Sequence, residues 1–139
     1  MIRRLLVVAL AGLVLGACGT ISTSTAMLNW VSQSGYHSTA AGILVDAEHA
    51  ANALRQPAVT VPQLHTVCGV LLYELGQANA SLPTPDDQAS TLLSNAYDQL
   101  GAGANQCYRN ERVSALVSLA RGAASLSEAS ARIASVSLP

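Results

Sequence analysis

Three cysteines, three histidines and eight carboxylates are the side chains through which this chain could do chemistry, and their spacing points to a cross-link rather than a reaction centre. Neither Cys68 nor Cys107 belongs to a Cys-x-x-Cys pair, the spacing of redox motifs and of many thiolate metal sites. Each falls instead on the apolar stripe of its own predicted helix, so the two thiols face one another across the core. Two inward thiols on neighbouring helices imply one structural disulfide. A redox pair or a pair of metal thiolates is the competing reading. Closing a loop of about 40 residues is worth roughly 4 kcal/mol in the chain-entropy account of cross-links.

The histidines make no site by spacing. Asp46 and His49 share one helix face, as do His65 and Cys68, because residues three apart on a helix are neighbours. A di-metal helical bundle needs Glu-x-x-His on two helices and further glutamates. This chain has one Asp-x-x-His and no Glu-x-x-His, and Glu74, Asp98 and Glu111 are scattered. Asp46 and His49 therefore read as surface residues and His65 as a neighbour of the disulfide, with no metal ligand assigned. Serines are plentiful, yet no Gly-x-Ser-x-Gly elbow occurs. The adjacent pair Asp86-Asp87 suits a helix start better than acid–base work. No catalytic residue and no cofactor follow, and an enzyme is not expected.

At the N-terminus, Met1-Ile2-Arg3-Arg4 precedes an apolar run from Leu5 to Leu15 broken only by Gly12. A positive start, a short apolar stretch and small residues before a cut describe a secretory signal. The run is too short for a spanning helix, which needs about 20 residues. The next four residues, Leu15-Gly16-Ala17-Cys18, resemble the lipobox of bacterial lipoproteins. The resemblance implies cleavage before Cys18, lipid on its thiol, and anchorage to the extracytoplasmic face of the cell membrane. An ordinary secretory signal cut after Ala17, leaving Cys18 a free thiol, is the alternative. On the first reading residues 1–17 are the signal peptide and 18–26 are the lipidated cysteine with a Ser/Thr-rich tether. Eight tether residues reach about 28 Å at most. Residues 27–139 form one domain.

Removing Arg3 and Arg4 leaves 7 − 2 = 5 arginines against eight acids, with no lysine in the chain. Nucleic-acid binding requires clustered positive charge, and a polybasic hold on anionic lipid requires the same; neither partner is expected. The domain is rich in alanine and lacks phenylalanine, so its core is built from narrow side chains.

The elements that must carry these residues are helical almost throughout. Met27 to Gln33 suits a short first helix stopped by Gly35. A long helix from about Ser38 to Arg55 turns Ala40, Leu44, Ala47, Ala51 and Leu54 inward. Thr60-Val61-Pro62-Gln63 offers a capping box with proline in the first turn. The inner stripe that follows is Leu64, Cys68, Leu71, Leu75, Ala78 and Leu82, closed by Pro83. Thr84-Pro85-Asp86-Asp87 supplies a cap, a proline at the first helical position and two acids. Its helix presents Leu93, Tyr97, Leu100, Ala104 and Cys107, interrupted by Gly101 and Gly103, which permit a close approach or a bend. After Asn110 a last helix, about Glu111 to Val136, turns Val113, Leu116, Leu119, Ala123, Leu126 and Ile133 inward. Short loops make consecutive helices antiparallel neighbours. The expected fold is all-α, an up-down antiparallel bundle of about four helices stapled by one disulfide.

Four aromatic residues have distinct expectations. Trp30 and Tyr36 pack against the bundle end or meet the membrane interface, Tyr73 lies off its inner stripe, and Tyr108 covers the bridge. On the last helix Arg121, Glu128 and Arg132 mark a solvated face, with Glu128 and Arg132 spaced to pair. The segments Leu64-His65-Thr66-Val67-Cys68, Leu82-Pro83-Thr84-Pro85-Asp86 and Leu100-Gly101-Ala102-Gly103-Ala104-Asn105-Gln106-Cys107 resemble small secreted helical proteins of actinobacteria whose function is unassigned. That likeness implies no activity. The expected role is a non-enzymatic envelope lipoprotein that binds another envelope or extracellular protein. The alternative is a carrier of a small apolar ligand or lipid between helices, in a cavity left by Ala102, Ala104, Ala120 and Ala123.

Overall fold

In a computed structural model the chain is described from residue 21 to residue 138. Residues 1–17, read as a signal, and the lipidation candidate Cys18 lie outside the described residues. Five helices follow in order: α1 (Thr23–Ser34), α2 (Tyr36–Arg55), α3 (Val61–Asn79), α4 (Asp87–Tyr108) and α5 (Arg112–Ser137). No strand occurs among the described residues.

The short first helix expected from Met27 to Gln33 is α1, which begins earlier, inside the stretch read as tether, and brings the count to five rather than about four. Its Ser22 side chain accepts from the Thr25 amide at 3.2 Å, so a Ser/Thr run that would weaken a helix interior serves as its cap. Gly35 then ends α1 and begins α2 with one residue, at φ 62°, a left-handed backbone that glycine adopts without a Cβ clash. The α3 start is as expected, with both halves of the Thr60/Gln63 capping box present. The α4 start differs by two residues. Asp86, not Thr84, caps it, while the buried Thr84 hydroxyl donates to Asp86 O at 2.7 Å and orders the approach.

The core gathers Met27, Ile43, Leu64, Leu71, Leu93, Leu100, Leu126 and Ile133, all fully buried. The stripes expected for α3 and α4 are the buried ones, apart from Leu82, which lies past the end of α3 and is half-buried. Two others are rotated. On α2 the buried set is Tyr36, Ala40, Ile43, Ala47, Ala50 and Leu54, and Leu44 is exposed. On α5 the set is Ala115, Leu119, Gly122, Leu126, Ala129 and Ile133, and Val113 is 80% exposed. On α2 the inner face turns by one residue, from Leu44 to Ile43 and from Ala51 to Ala50, whereas on α5 Ala115 and Gly122 occupy inner positions where larger side chains were expected.

The small residues are explained by the α4–α5 seam, the most extensive helix contact in the domain. A methyl group on Gly122 would lie 2.6 Å from Leu100 Cγ and 2.8 Å from its backbone nitrogen. One on Gly103 would lie 2.9 Å from both Leu119 Cγ and Leu119 N. Each leucine thus rests on the bare backbone of the opposite helix, which brings the two axes closer than any side chain would permit.

Candidate functional site

Cys68 on α3 and Cys107 on α4 are joined as a disulfide, with Cα atoms 6.1 Å apart and both residues fully buried. One turn before Cys68, the His65 ring stacks on that of Tyr108, centroids 3.9 Å apart and planes within 6°. Tyr108, expected over the bridge, is exposed on its outer side. The pair closes the rim beside the cross-link.

At the other end of the domain Trp30 on α1 donates its indole N–H to Ser81 O at 2.9 Å. Its ring lies 5.5 Å from that of Tyr36. The Ser130 hydroxyl donates to Leu126 O at 2.8 Å, so the Tyr36 hydroxyl donates to Ser130 Oγ, 2.7 Å away. Burial and the nearby Tyr36 push the Tyr97 phenol up to about 12. Both rings are packing groups with neutral hydroxyls.

The charged residues serve the scaffold. Arg132, expected beside Glu128, instead binds Asp86 at the α4 cap through two hydrogen bonds of 3.0 and 2.8 Å. Arg112 donates to Leu54 O at 3.0 Å and Gln56 O at 2.9 Å, satisfying carbonyls that the end of α2 leaves open. These partners lie 46 to 58 residues away in sequence, and no local pattern signals them. Arg109 pairs with Glu111 at 2.8 Å on the surface.

Asp46 and His49 meet on α2 at 3.6 Å. Burial, then the charge of neighbouring Asp46, holds the Glu74 carboxyl above the usual carboxylate range. Among the described residues no three His, Cys, Asp or Glu side chains are grouped as a metal ion would require. His65 is engaged by the Tyr108 ring stacked on it.

What remains is surface. From Val61 to Asn79 the only formal charge on α3 is Glu74, which faces Gly42 of α2. The outward side of α3 carries exposed Val70 and Tyr73, the latter 70% exposed. Gly69 and Gly76 flank them, and a Cβ at either would meet nothing within 4 Å. An uncharged ridge with one projecting ring and open backbone on each side suits contact with another apolar surface, since aromatic residues dominate protein interfaces. Two open clefts lie elsewhere on the described surface. One, of about 360 Å³, is bounded by Leu82, Pro83, Ser90, Thr91, Ser94 and Asn95. The other, of about 440 Å³, lies between α1 and α2 at Leu28, Val31, Ser32, Gly35, His37 and Ser38. Neither is the inter-helix cavity expected from small residues. Ala104 is fully buried, and Ala102 and Ala120 face outward.

Compared with known protein families, curated proteins and solved structures, the chain matches none. No helix among the described residues is long and apolar enough to cross a membrane.

Proposed function

We propose that this is an envelope lipoprotein, held by lipid on Cys18 to the extracytoplasmic face of the cell membrane, whose helical domain binds another envelope or extracellular protein and catalyses nothing. The anchor rests on Leu15-Gly16-Ala17-Cys18 behind a positive start and a short apolar run. The binding role rests on one observation, the charge-free outer side of α3 with Val70 and Tyr73 exposed between two open glycines. The helices after α1 are read as an up-down antiparallel bundle. Supporting this, contacts join the start of α5 to the end of α2 through Arg112 and Leu54. Others join the first half of α3 to the end of α4 through the disulfide and the start of α4 to the last turns of α5 through Asp86 and Arg132.

The test is a photo-crosslinking amino acid placed at Tyr73 and, for comparison, at Val113, in cells fed an alkyne-tagged fatty acid. The expected result is a tagged protein that loses its tag on Cys18→Ser and forms a discrete protein adduct from position 73 only. Equal or absent adducts at both positions would remove the binding role. A tag retained by Cys18→Ser would remove the anchor.

A further inference from the structure

The end of the domain from which the chain runs back toward Cys18 has a distinctive surface. From Ile21 to Val45 there is no Asp, Glu, Lys or Arg, and none from Ile133 onward. The loop from Ala80 to Pro85 is likewise uncharged. These three segments come together. Ser24 on α1 donates to Leu138 O at 3.1 Å, past the end of α5, and Trp30 on α1 binds Ser81 in the loop. The acid and base nearest by sequence, Asp86 and Arg132, neutralise one another, leaving Asp87 in the first turn of α4 and His37 in that of α2 as the remaining polar titratable groups near this end.

Three large apolar side chains project from that sparsely charged end. Ile21 is 69% exposed, Leu28 51% and Leu138 70%. Leu28 stands one turn beyond Ser24 on α1, Ile21 three residues before it, and Ser24 holds the backbone of Leu138, which places all three at this end of the domain. By contrast, the far end of the domain carries Arg55, Arg109, Glu111 and Arg112.

We infer that this end is a membrane seat: α1 lies against the bilayer surface, with Ile21, Leu28 and Leu138 entering the headgroup–acyl boundary. The inference rests on the anchored reading above and deepens it. Only two residues separate Cys18 from Ile21, a span of about 10 Å when extended, so acyl chains on Cys18 would hold this end at the interface. A surface so sparsely charged loses less on leaving water than a charged one would, and apolar side chains gain by it. Interfacial helices of peripheral proteins likewise bury apolar side chains at the headgroup–acyl boundary, with a basic polar face that α1 lacks. The hold is apolar, so salt should not loosen it. With the axis of α5 upright, Val113 would stand about 37 Å from Leu138, at a helical rise of about 1.5 Å per residue.

The experiment uses the mature lipidated protein in phosphatidylcholine vesicles whose acyl chains carry bromine near the headgroup, a short-range quencher of indole fluorescence. Trp30 is the only native tryptophan and forms a common background. Mass spectrometry first records the lipid on Cys18. The expected result is at least twofold stronger quenching of added indole in Leu28→Trp than in Val113→Trp, unchanged in 0.5 M NaCl. Adding Ile21→Asp and Leu138→Asp to Leu28→Trp should abolish that difference while the helical circular dichroism stays the same. Equal quenching at the two positions in lipidated protein would overturn the seat and leave the anchor standing. Quenching that disappears in salt would also overturn it, since the hold would then be ionic. A chain with no lipid on Cys18 would overturn both.

Discussion

The carboxylate of Asp86 performs two tasks at once. Its Oδ1 accepts from the Ala89 amide at 2.8 Å and from Arg132 Nε at 3.0 Å, while Oδ2 accepts from Arg132 Nη2 at 2.8 Å. It therefore caps α4 and ties that cap to the last turns of α5. A carboxylate at a helix N-terminus also meets the positive end of the helix dipole.

Removing that side chain should cost both contacts. Asp86→Ala is expected to lower stability by about 1–2 kcal/mol, the usual worth of a cap with a small addition for a partly exposed ion pair. The hydrogen bonds from Arg132 hold the Asp86 carboxyl below its ordinary value of 3.8, and the Ala89 amide acts in the same direction. Its contribution is therefore complete above about pH 4 and lost as the pH falls through the lowered folded value. Urea titrations at pH 7 and pH 3 should show the gap between wild type and Asp86→Asn narrowing in acid. A constant gap would exclude the ion pair as its source.

Glu74 should behave with the opposite sign. Its folded value is raised above 4.5 by burial and by Asp46, so the folded protein holds an extra proton just above pH 4.5. That stabilisation is present below 4.5 and lost as the pH rises through the raised value. Glu74→Gln should be more stable than wild type at pH 7 and equal to it or weaker at pH 4. Thermal melts at the two values check it, and a variant that loses stability at pH 7 contradicts the account.

The glycines divide into two groups that substitution should separate. Gly122→Ala or Gly103→Ala drives a methyl into the leucine resting on it, and overpacking of this kind costs about 1–3 kcal/mol. Gly69→Ala, Gly76→Ala or Gly101→Ala meets open space and should instead stabilise by about 0.5–1 kcal/mol through helix propensity. Denaturant midpoints on the five variants suffice. Similar effects in both groups would mean that the α4–α5 seam is looser than described.

The cross-link spans 39 residues of sequence. Cys68→Ala with Cys107→Ala should lose roughly 4 kcal/mol on the chain-entropy account and keep its helices. Alkylation of exported protein without reductant should label neither position; label on both would be incompatible with the bond.

Legibility from sequence tracked side-chain size. On α3 and α4 the inner residues are mostly leucine, tyrosine and cysteine, and their spacing alone gives the buried face. On α2 and α5 the buried positions include Ala50, Ala115, Gly122 and Ala129. On α5 ranking by hydrophobicity prefers Val113 and Leu116, though a close helix approach favours Ala115 and Gly122; on α2 the true face differs by one residue, Ile43 in place of Leu44. The disulfide was readable because both cysteines lie on the well-marked helices. Trp30 with Ser81, Arg112 with Leu54 and Arg132 with Asp86 are pairings across distant parts of the chain, and no spacing rule reaches them. The α3 surface was half legible: Tyr73 stood off its stripe, but the openness around Gly69 and Gly76 depends on where α2 and α4 pack.

The backbone-deep seam at Gly103 and Gly122 joins two helices that are consecutive in the chain, separated only by a short turn through Asn110. Contacts so local carry a small loop-closure cost, and helical domains built from them acquire their structure within microseconds to milliseconds. The α4–α5 hairpin is thus expected to assemble before α2 closes against α5. In the finished protein, amide hydrogens around Leu100 and Leu119 should be the slowest to exchange with solvent.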